Sequence, residues 1–242
     1  MFITFGTNTM TMANKVAIIT GASGNLGKAV VDKFLAAGYM VNGTVHSGKK
    51  NDTDSTNNKY EAVLVDLMDE KSAQQFVDAV IQKHHQIDVA VLTAGGFAMG
   101  SIAETKSADI LQQYELNFAT AYNIARPVFT QMLQQKKGRI FLTGSRPGTD
   151  ARYSKGMVAY GLSKALLFRL AELMNDEAKG TEVVTSVIVP GTIDTPQNRA
   201  AMPDADPTKW VTPESIADII YYYCSASATI MREPILKVYN GG

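Results

Sequence analysis

The chain has 242 residues, of which 45% are hydrophobic and 19% are charged, and 23 lysine and arginine residues balance 23 aspartate and glutamate residues. This composition allows one folded domain with a sizeable core and excludes the charge excess of a disordered chain. The balanced charge gives no field that favours nucleic acid or an anionic membrane, and the single cysteine, Cys224, excludes an intrachain disulfide.

The first 13 residues lack the basic and apolar regions of a signal peptide, and no run of about 18 apolar residues follows them. We therefore expect a cytoplasmic protein without a membrane partner. Residues 1–13 are predicted to be a flexible extension without an assigned function, and residues 14–242 to form the domain.

From residue 15 onward, short apolar runs alternate with segments of helical periodicity. Predicted strands cover 15–20, 39–45, 61–67, 87–93, 139–144, 183–189 and 235–239, and predicted helices cover 26–37, 69–84, 107–136, 157–178 and 213–224. This alternation predicts an α/β fold with a doubly wound parallel sheet, the Rossmann fold, in a single domain. Ligands of such sheets bind at the carboxyl ends of the strands.

Two polar stretches interrupt this alternation. Residues 47–59 lack apolar periodicity, so the second crossover helix is predicted to be missing or reduced to a loop. Residues 192–210 are rich in proline and polar side chains and follow a buried strand at the end where ligands bind. They are predicted to be either a mobile lid over the substrate or an ordinary surface loop.

A glycine-rich turn with the pattern GxxGxxG joins the first predicted strand to the first helix. Glycines permit a tight turn and let backbone N–H groups approach a pyrophosphate, while the helix directs the positive end of its dipole at the anion. The pattern favours a dinucleotide site over a glycine-rich turn without a ligand. The predicted contact residues of this turn are Gly21, Ser23, Gly24, Asn25, Leu26 and Gly27.

The second predicted strand ends without the acidic residue that binds the ribose 2′-hydroxyl of NAD. Val45 stands there, and His46, Ser47, Lys49 and Lys50 follow. Because these side chains can donate hydrogen bonds or positive charge to a 2′-phosphate, NADP is predicted as the cofactor in preference to NAD. The alternative is that they form only a solvated loop.

Tyr160 and Lys164 are four residues apart, which places them on one face of a predicted helix. A neighbouring ammonium favours the phenolate and makes proton transfer feasible nearer neutral pH. Such pairs also occur by chance on many helices. Ser145, just after the preceding strand, and Asn117, on the helix before it, strengthen the interpretation of the pair as catalytic.

With these motifs in order, the chain resembles the short-chain dehydrogenase/reductase family over nearly its whole length. The resemblance implies that Tyr160 is the proton donor and that Lys164 lowers its pKa and holds the nicotinamide ribose. It also implies that Ser145 positions the substrate oxygen and that Asn117 holds a water in a proton relay. The further cofactor contacts that it implies are Asp66, Leu67, Ala94, Gly95, Pro190, Gly191, Ile193 and Thr195, together with Tyr160 and Lys164.

The chain departs from the common family pattern at Asn25, where most members have glycine, and at Thr93, where they have asparagine. Residues 94–100 and 194–210 are more similar to dihydropteridine reductases. Val45 and Ser145 differ from that group, in which an acidic residue ends the second strand and the serine is absent. A pteridine reductase is therefore an alternative function rather than the leading one.

We therefore expect an NADP(H)-dependent oxidoreductase that transfers a hydride between the nicotinamide and a small carbonyl or imine substrate, without a metal. A non-catalytic regulator that senses NADP is a further alternative, but it would not need all four candidate catalytic residues. The resemblance also implies a homo-tetramer or homo-dimer that pairs the helices at 107–136 and 157–178.

Overall fold

The computed structural model describes residues 14–46 and 57–240. The predicted extension at 1–13, most of the predicted loop at 47–59 and Ser47 lie outside the described residues.

A single parallel sheet of seven strands forms the centre of the molecule, in the order β3-β2-β1-β4-β5-β6-β7. The strands are β1 (Val16–Thr20), β2 (Met40–Val45), β3 (Tyr60–Leu64), β4 (Val89–Leu92), β5 (Lys137–Thr143), β6 (Glu182–Pro190) and β7 (Ile235–Val238). All residues of β1 and β4 are buried, as expected for central strands covered on both faces. The predicted doubly wound, single-domain Rossmann fold is confirmed.

Eight α-helices surround the sheet in the described part of the chain. They are α1 (Asn25–Ala36), α2 (Glu70–His84), α3 (Ser107–Tyr114), α4 (Thr120–Gln135), α5 (Arg146–Thr149), α6 (Val158–Glu177), α7 (Pro196–Ala201) and α8 (Pro213–Tyr223). Apolar residues of α1 and α8 pack on one face of the sheet, and those of α2, α4 and α6 pack on the other. Two hydrophobic cores therefore hold the carboxyl edge of the sheet in place.

The structure differs from the predicted elements in three places. The helix predicted at 107–136 is interrupted by a π-turn at Glu115–Ala119, where the Thr120 N–H donates to the Glu115 carbonyl. The strand predicted at 61–67 ends at Leu64. The short helices α5 and α7 were not predicted.

None of the helices within 14–46 and 57–240 is both long and apolar enough to cross a membrane.

Candidate active site

The site lies where the strand order reverses, between β1 and β4, because the chain leaves these neighbouring strands toward opposite faces of the sheet. Thr93 Oγ1 donates to the Thr20 carbonyl at 2.6 Å, and the Ala94 N–H donates to Thr20 Oγ1 at 3.2 Å. Thr93, which departs from the common family pattern, therefore fastens the ends of the two strands to each other.

A cavity of about 430 Å³ opens at this edge of the sheet. The predicted cofactor contacts that line it are Gly21, Ser23, Gly24, Asn25, Leu26, Gly27, His46, Asp66, Leu67, Ala94, Gly95, Ile193 and Thr195. The other predicted contacts in the described residues, Tyr160, Lys164, Pro190 and Gly191, are not part of its lining. The structure thus brings most of the predicted cofactor residues together around one opening.

The glycine-rich turn is tightly packed against the start of α1. Gly21 has a φ of 62°, and the Gly24 N–H donates to its carbonyl at 2.9 Å. At Gly27 an added Cβ would lie 2.1 Å from the same carbonyl oxygen, so no side chain fits there. The turn leaves the amino end of α1 at the cavity, where unpaired backbone N–H groups can bind an anion.

The opposite end of the cavity carries polar groups suited to an adenosine moiety. Thr44 is 1% exposed and lines the cavity, and its Oγ1 has no hydrogen-bond partner within the described residues. His46 is exposed, and Asp66 Oδ1 accepts from the Met68 N–H at 2.9 Å. These residues and the turn together fit a dinucleotide.

Lys164 is the buried cation of the site. It is 5% exposed, and its Nζ donates to the Thr143 carbonyl at the end of β5 at 2.7 Å. Burial disfavours the ammonium and lowers the pKa of Lys164 to about 8. Lys164 can therefore gain or lose a proton at a pH much nearer neutrality than an exposed lysine can.

Tyr160 lies beside Lys164 on α6, with the Lys164 Nζ 5.9 Å from the centre of its ring. Burial raises the pKa of Tyr160, and a hydrogen bond with Ser145 partly opposes that rise. The sequence led us to expect a lowered pKa because of the ammonium. In the protein desolvation dominates the pKa of Tyr160, and the Lys164 ammonium points at the Thr143 carbonyl.

The Ser145 side chain makes two local hydrogen bonds. Besides its hydrogen bond with Tyr160, its Oγ accepts from the Gly148 N–H at 3.3 Å and so caps α5. The cap fixes the side chain of Ser145 at the end of β5, facing α6.

Asn117 is 1% exposed and lies in the π-turn between α3 and α4. Its Oδ1 accepts from the Gly96 N–H at 3.0 Å, and its Nδ2 donates to Gln113 Oε1 at 3.0 Å and to Ser163 Oγ at 3.2 Å. Asn117 thereby links the loop after β4 to α6. Its role in a water relay stays a prediction.

Gly95 lies between Asn117 and Lys164. A Cβ at this position would lie 2.6 Å from Asn117 Oδ1 and 3.4 Å from Lys164 Nζ. The four predicted catalytic residues are thus gathered around α6: Ser145 contacts Tyr160 directly, and Asn117 and Lys164 both lie beside Gly95.

Two side chains near the catalytic group were missed in the sequence. Phe97 is 60% exposed, and its ring lies edge to face with that of Tyr160, 5.0 Å between centres. The Arg146 guanidinium lies 3.8 Å from the centre of the Tyr239 ring. Both residues stand within two positions of predicted site residues, but neither follows a periodic pattern that tells which way its side chain points.

The segment predicted as a lid or surface loop, 192–210, contains α7 and contacts the cavity. Ile193 and Thr195 line the cavity wall, and Thr195 Oγ1 caps α7 by accepting from the Asn198 N–H at 3.1 Å. Asn25 Nδ2 donates to Gln197 Oε1 at 2.8 Å, which joins α7 to the glycine-rich turn. The interpretation of the segment as a mobile lid or as a surface loop stays a prediction.

The described residues contain no group of three or more histidine, cysteine, aspartate or glutamate side chains arranged to hold a metal ion.

Comparison with known proteins gives consistent matches. Residues 15–206 match the sequence model of the short chain dehydrogenases. The chain is 26% identical over 197 residues to the 3-oxoacyl-(acyl-carrier-protein) reductase FabG of Salmonella typhimurium, covering 81% of this chain and 80% of that protein. It is 25% identical over 244 residues to the acetoacetyl-CoA reductase of an Acinetobacter species, covering 94% and 97%.

Solved structures share the fold. The crystal structure of gox2181 has a TM-score of 0.86 at 24% identity, with 95% of this chain and 96% of that chain covered. A structure of ElxO with NADP bound has a TM-score of 0.86 at 21% identity, with 94% and 98% covered. At these identities the likeness concerns the fold.

Proposed function

The chain belongs to the short-chain dehydrogenase/reductase family of NAD(P)-dependent oxidoreductases, and from this we propose that it is an NADP(H)-dependent reductase of a small carbonyl compound. The observation that carries the proposal is the hydrogen-bonded group of Ser145 and Tyr160 beside the buried Lys164. This group adjoins a cavity built for a dinucleotide.

The preference for NADP over NAD rests on the residues around the adenosine end. Val45 ends β2 without a carboxylate, so the end of this strand places no negative charge where a 2′-phosphate would bind. His46 is exposed at the cavity and can donate to a phosphate. Ser47 and the lysines that follow it are further candidates from the sequence.

When bound, the dinucleotide supplies or accepts the hydride at the substrate carbon. Tyr160 would donate its phenolic proton to the carbonyl oxygen, and its raised pKa keeps that proton in place at neutral pH. Ser145 holds the same oxygen through its hydroxyl, while Lys164 provides positive charge beside the developing phenolate.

An apolar side chain beside Tyr160 indicates the character of the substrate. Phe97 is 60% exposed. Phe97 packs against the Tyr160 ring, so a substrate whose carbonyl reaches Tyr160 also meets an apolar surface. We propose a carbonyl compound with an apolar substituent.

The alternatives derived from the sequence have less support. The relatives reported above are named for 3-oxoacyl and acetoacetyl substrates, and none of those is a pteridine reductase. A sensor without turnover would not need Ser145 hydrogen-bonded to Tyr160 with Lys164 buried beside them.

We also propose a cytoplasmic homo-oligomer. The outer faces of α3, α4 and α6 expose apolar side chains that the described part of the chain leaves uncovered, at Leu111, Tyr114, Tyr122, Leu162, Leu166 and Leu173. A second copy of the chain would bury these side chains in an interface.

The test of this function has two parts. Fluorescence titration with NADPH and NADH is expected to show tighter binding of NADPH. Incubation with NADPH and a panel of aldehydes, ketones and quinonoid dihydropterin is expected to show loss of nicotinamide absorbance with an apolar ketone or aldehyde. Equal affinity for the two cofactors would overturn the NADP preference, and turnover of the dihydropterin alone would favour the pteridine reductase.

A further inference from the structure

One hydrogen bond connects the two walls of the dinucleotide cavity across its rim. Asn25, at the first position of α1, donates from Nδ2 to Oε1 of Gln197, in α7, at 2.8 Å. The two residues are 172 positions apart in the chain. The bond is therefore a tertiary contact between the glycine-rich turn and the segment that follows β6.

The other side-chain hydrogen bonds of α7 within the described residues are local. Thr195 caps the helix, and Asn198 Nδ2 donates to the Ile193 carbonyl at 2.8 Å. Arg199 forms a bidentate ion pair with Asp194. These bonds make 193–199 a compact unit. Of the α7 side-chain hydrogen bonds in the described part of the chain, the one to Asn25 alone leaves this unit.

The base of the unit is anchored to the segment just before α8. Ile193 pairs with Val211 as an isolated bridge, and the Asp194 N–H donates to the Val211 carbonyl at 2.8 Å. The unit is thus tied at one end by backbone bonds and at the other by Gln197. Between these ties, Ile193 and Thr195 face the same cavity that Ser23 and Gly24 line from the opposite side.

We propose that Asn25 and Gln197 form a clasp that closes over the pyrophosphate of the bound dinucleotide and slows its release. The inference rests on the proposed function, because it takes the cavity as the cofactor site. The amino end of α1 would offer its backbone N–H groups to the pyrophosphate, and the clasp joins that end to α7. Gln197 acts as a positioning residue that keeps α7 against the turn. Asn25 supplies the hydrogen-bond donor. Most family members have a glycine at this position, and glycine has no side-chain amide.

Stopped-flow measurement of NADPH dissociation from the full-length protein tests the clasp. Gln197→Ala is expected to raise the dissociation rate about 3- to 10-fold, as the loss of one exposed hydrogen bond implies, with a smaller change in the association rate. Asn25→Ala is expected to do the same. The double variant is expected to release NADPH no faster than the faster single variant, because both changes remove one bond. Asp204→Asn, an exposed change in the same segment, is the matched control and should match the wild type.

Hydrogen exchange of the cofactor-free protein gives a second readout. In Gln197→Ala, amides of 196–201 are expected to exchange faster, while those of α6 remain as protected as in the wild type. An unchanged NADPH dissociation rate in Gln197→Ala would overturn the clasp while leaving the proposed function intact. Additive effects of Asn25→Ala and Gln197→Ala would also overturn it. If the wild type bound neither NADPH nor NADH, the proposed function itself would fail.

Discussion

Tyr160 is held by opposing influences, since burial raises its pKa and the hydrogen bond with Ser145 lowers it. A phenol that stays protonated is suited to act as a general acid. We expect Tyr160→Phe to keep the packing against Phe97 and to lower kcat by about 10² to 10⁴, the usual contribution of general acid catalysis. NADPH affinity should change little. Steady-state kinetics and fluorescence titration check both expectations, and near wild-type turnover would show that the proton comes from another group.

Lys164 gives a prediction for stability against pH. Its pKa is about 8 in the folded protein and 10.5 in an exposed lysine. Between these values the unfolded chain holds more protons than the folded chain, so the contribution of Lys164 to the free energy of unfolding rises as the pH rises. Urea unfolding of the cofactor-free wild type and of Lys164→Met at several pH values between 8 and 10.5 isolates this term. The wild type should gain stability relative to the variant across the window, and a flat or falling difference would contradict it.

At the scale of elements, the glycine-rich turn depends on the approach of Gly27 to the Gly21 carbonyl. Gly27→Ala would place a Cβ 2.1 Å from that oxygen, whereas Gly24→Ala would place one 3.2 Å from the same atom. A backbone oxygen cannot move aside cheaply, so we expect Gly27→Ala to destabilise the protein by about 2 to 3 kcal/mol and to lower Tm by roughly 5 to 10 °C. Gly24→Ala is the matched control and should cost clearly less. Calorimetry measures both, and equal shifts in Tm would contradict the packing argument.

The elements predicted from the sequence were those with a strong local signal. Buried runs such as 15–20 and 183–189 became strands because a parallel sheet covered on both faces needs uninterrupted apolar residues. The helices α5 and α7 were not predicted, since each has six residues or fewer and depends on a cap, Ser145 or Thr195, rather than on apolar periodicity.

The candidate site, like the fold, was predicted where its residues form a local sequence motif. The residues gathered around α6 and the glycine-rich turn are identified by motif spacing. The contacts of Phe97 and Gln197 are not, because each joins segments distant in sequence through a side chain whose direction depends on the finished fold. The pKa of Tyr160 was also beyond the sequence, since it depends on how deeply α6 buries the phenol.

At the scale of the whole molecule, the uncovered apolar faces of α3, α4 and α6 predict self-association. On α6, Leu162, Leu166 and Leu173 lie along one face and are 41% to 56% exposed. We expect light scattering at micromolar concentration to give a mass of two or four times the 26.2 kDa chain. Leu166→Glu should shift the mass toward the monomer because it places a charge in the contact.

Leu64→Glu is the control for this experiment, since Leu64 is 65% exposed on β3 at the far edge of the sheet. It should leave the assembly intact. A wild type that is monomeric at this concentration would contradict the proposed oligomer.

The π-turn at Glu115–Ala119 couples the inside of the molecule to its surface. A helix advances about 100° per residue, so one residue removed from this turn would restore regular helix and rotate α3 by that angle relative to α4. The rotation would carry Gln113 away from Asn117 and, with it, Tyr114 away from Phe118, whose ring stacks on that of Tyr122. The number of residues in the π-turn therefore fixes both the orientation of the buried Asn117 side chain and the arrangement of the aromatic rings on the surface. A deletion here cannot alter one without the other, whereas a side-chain substitution can.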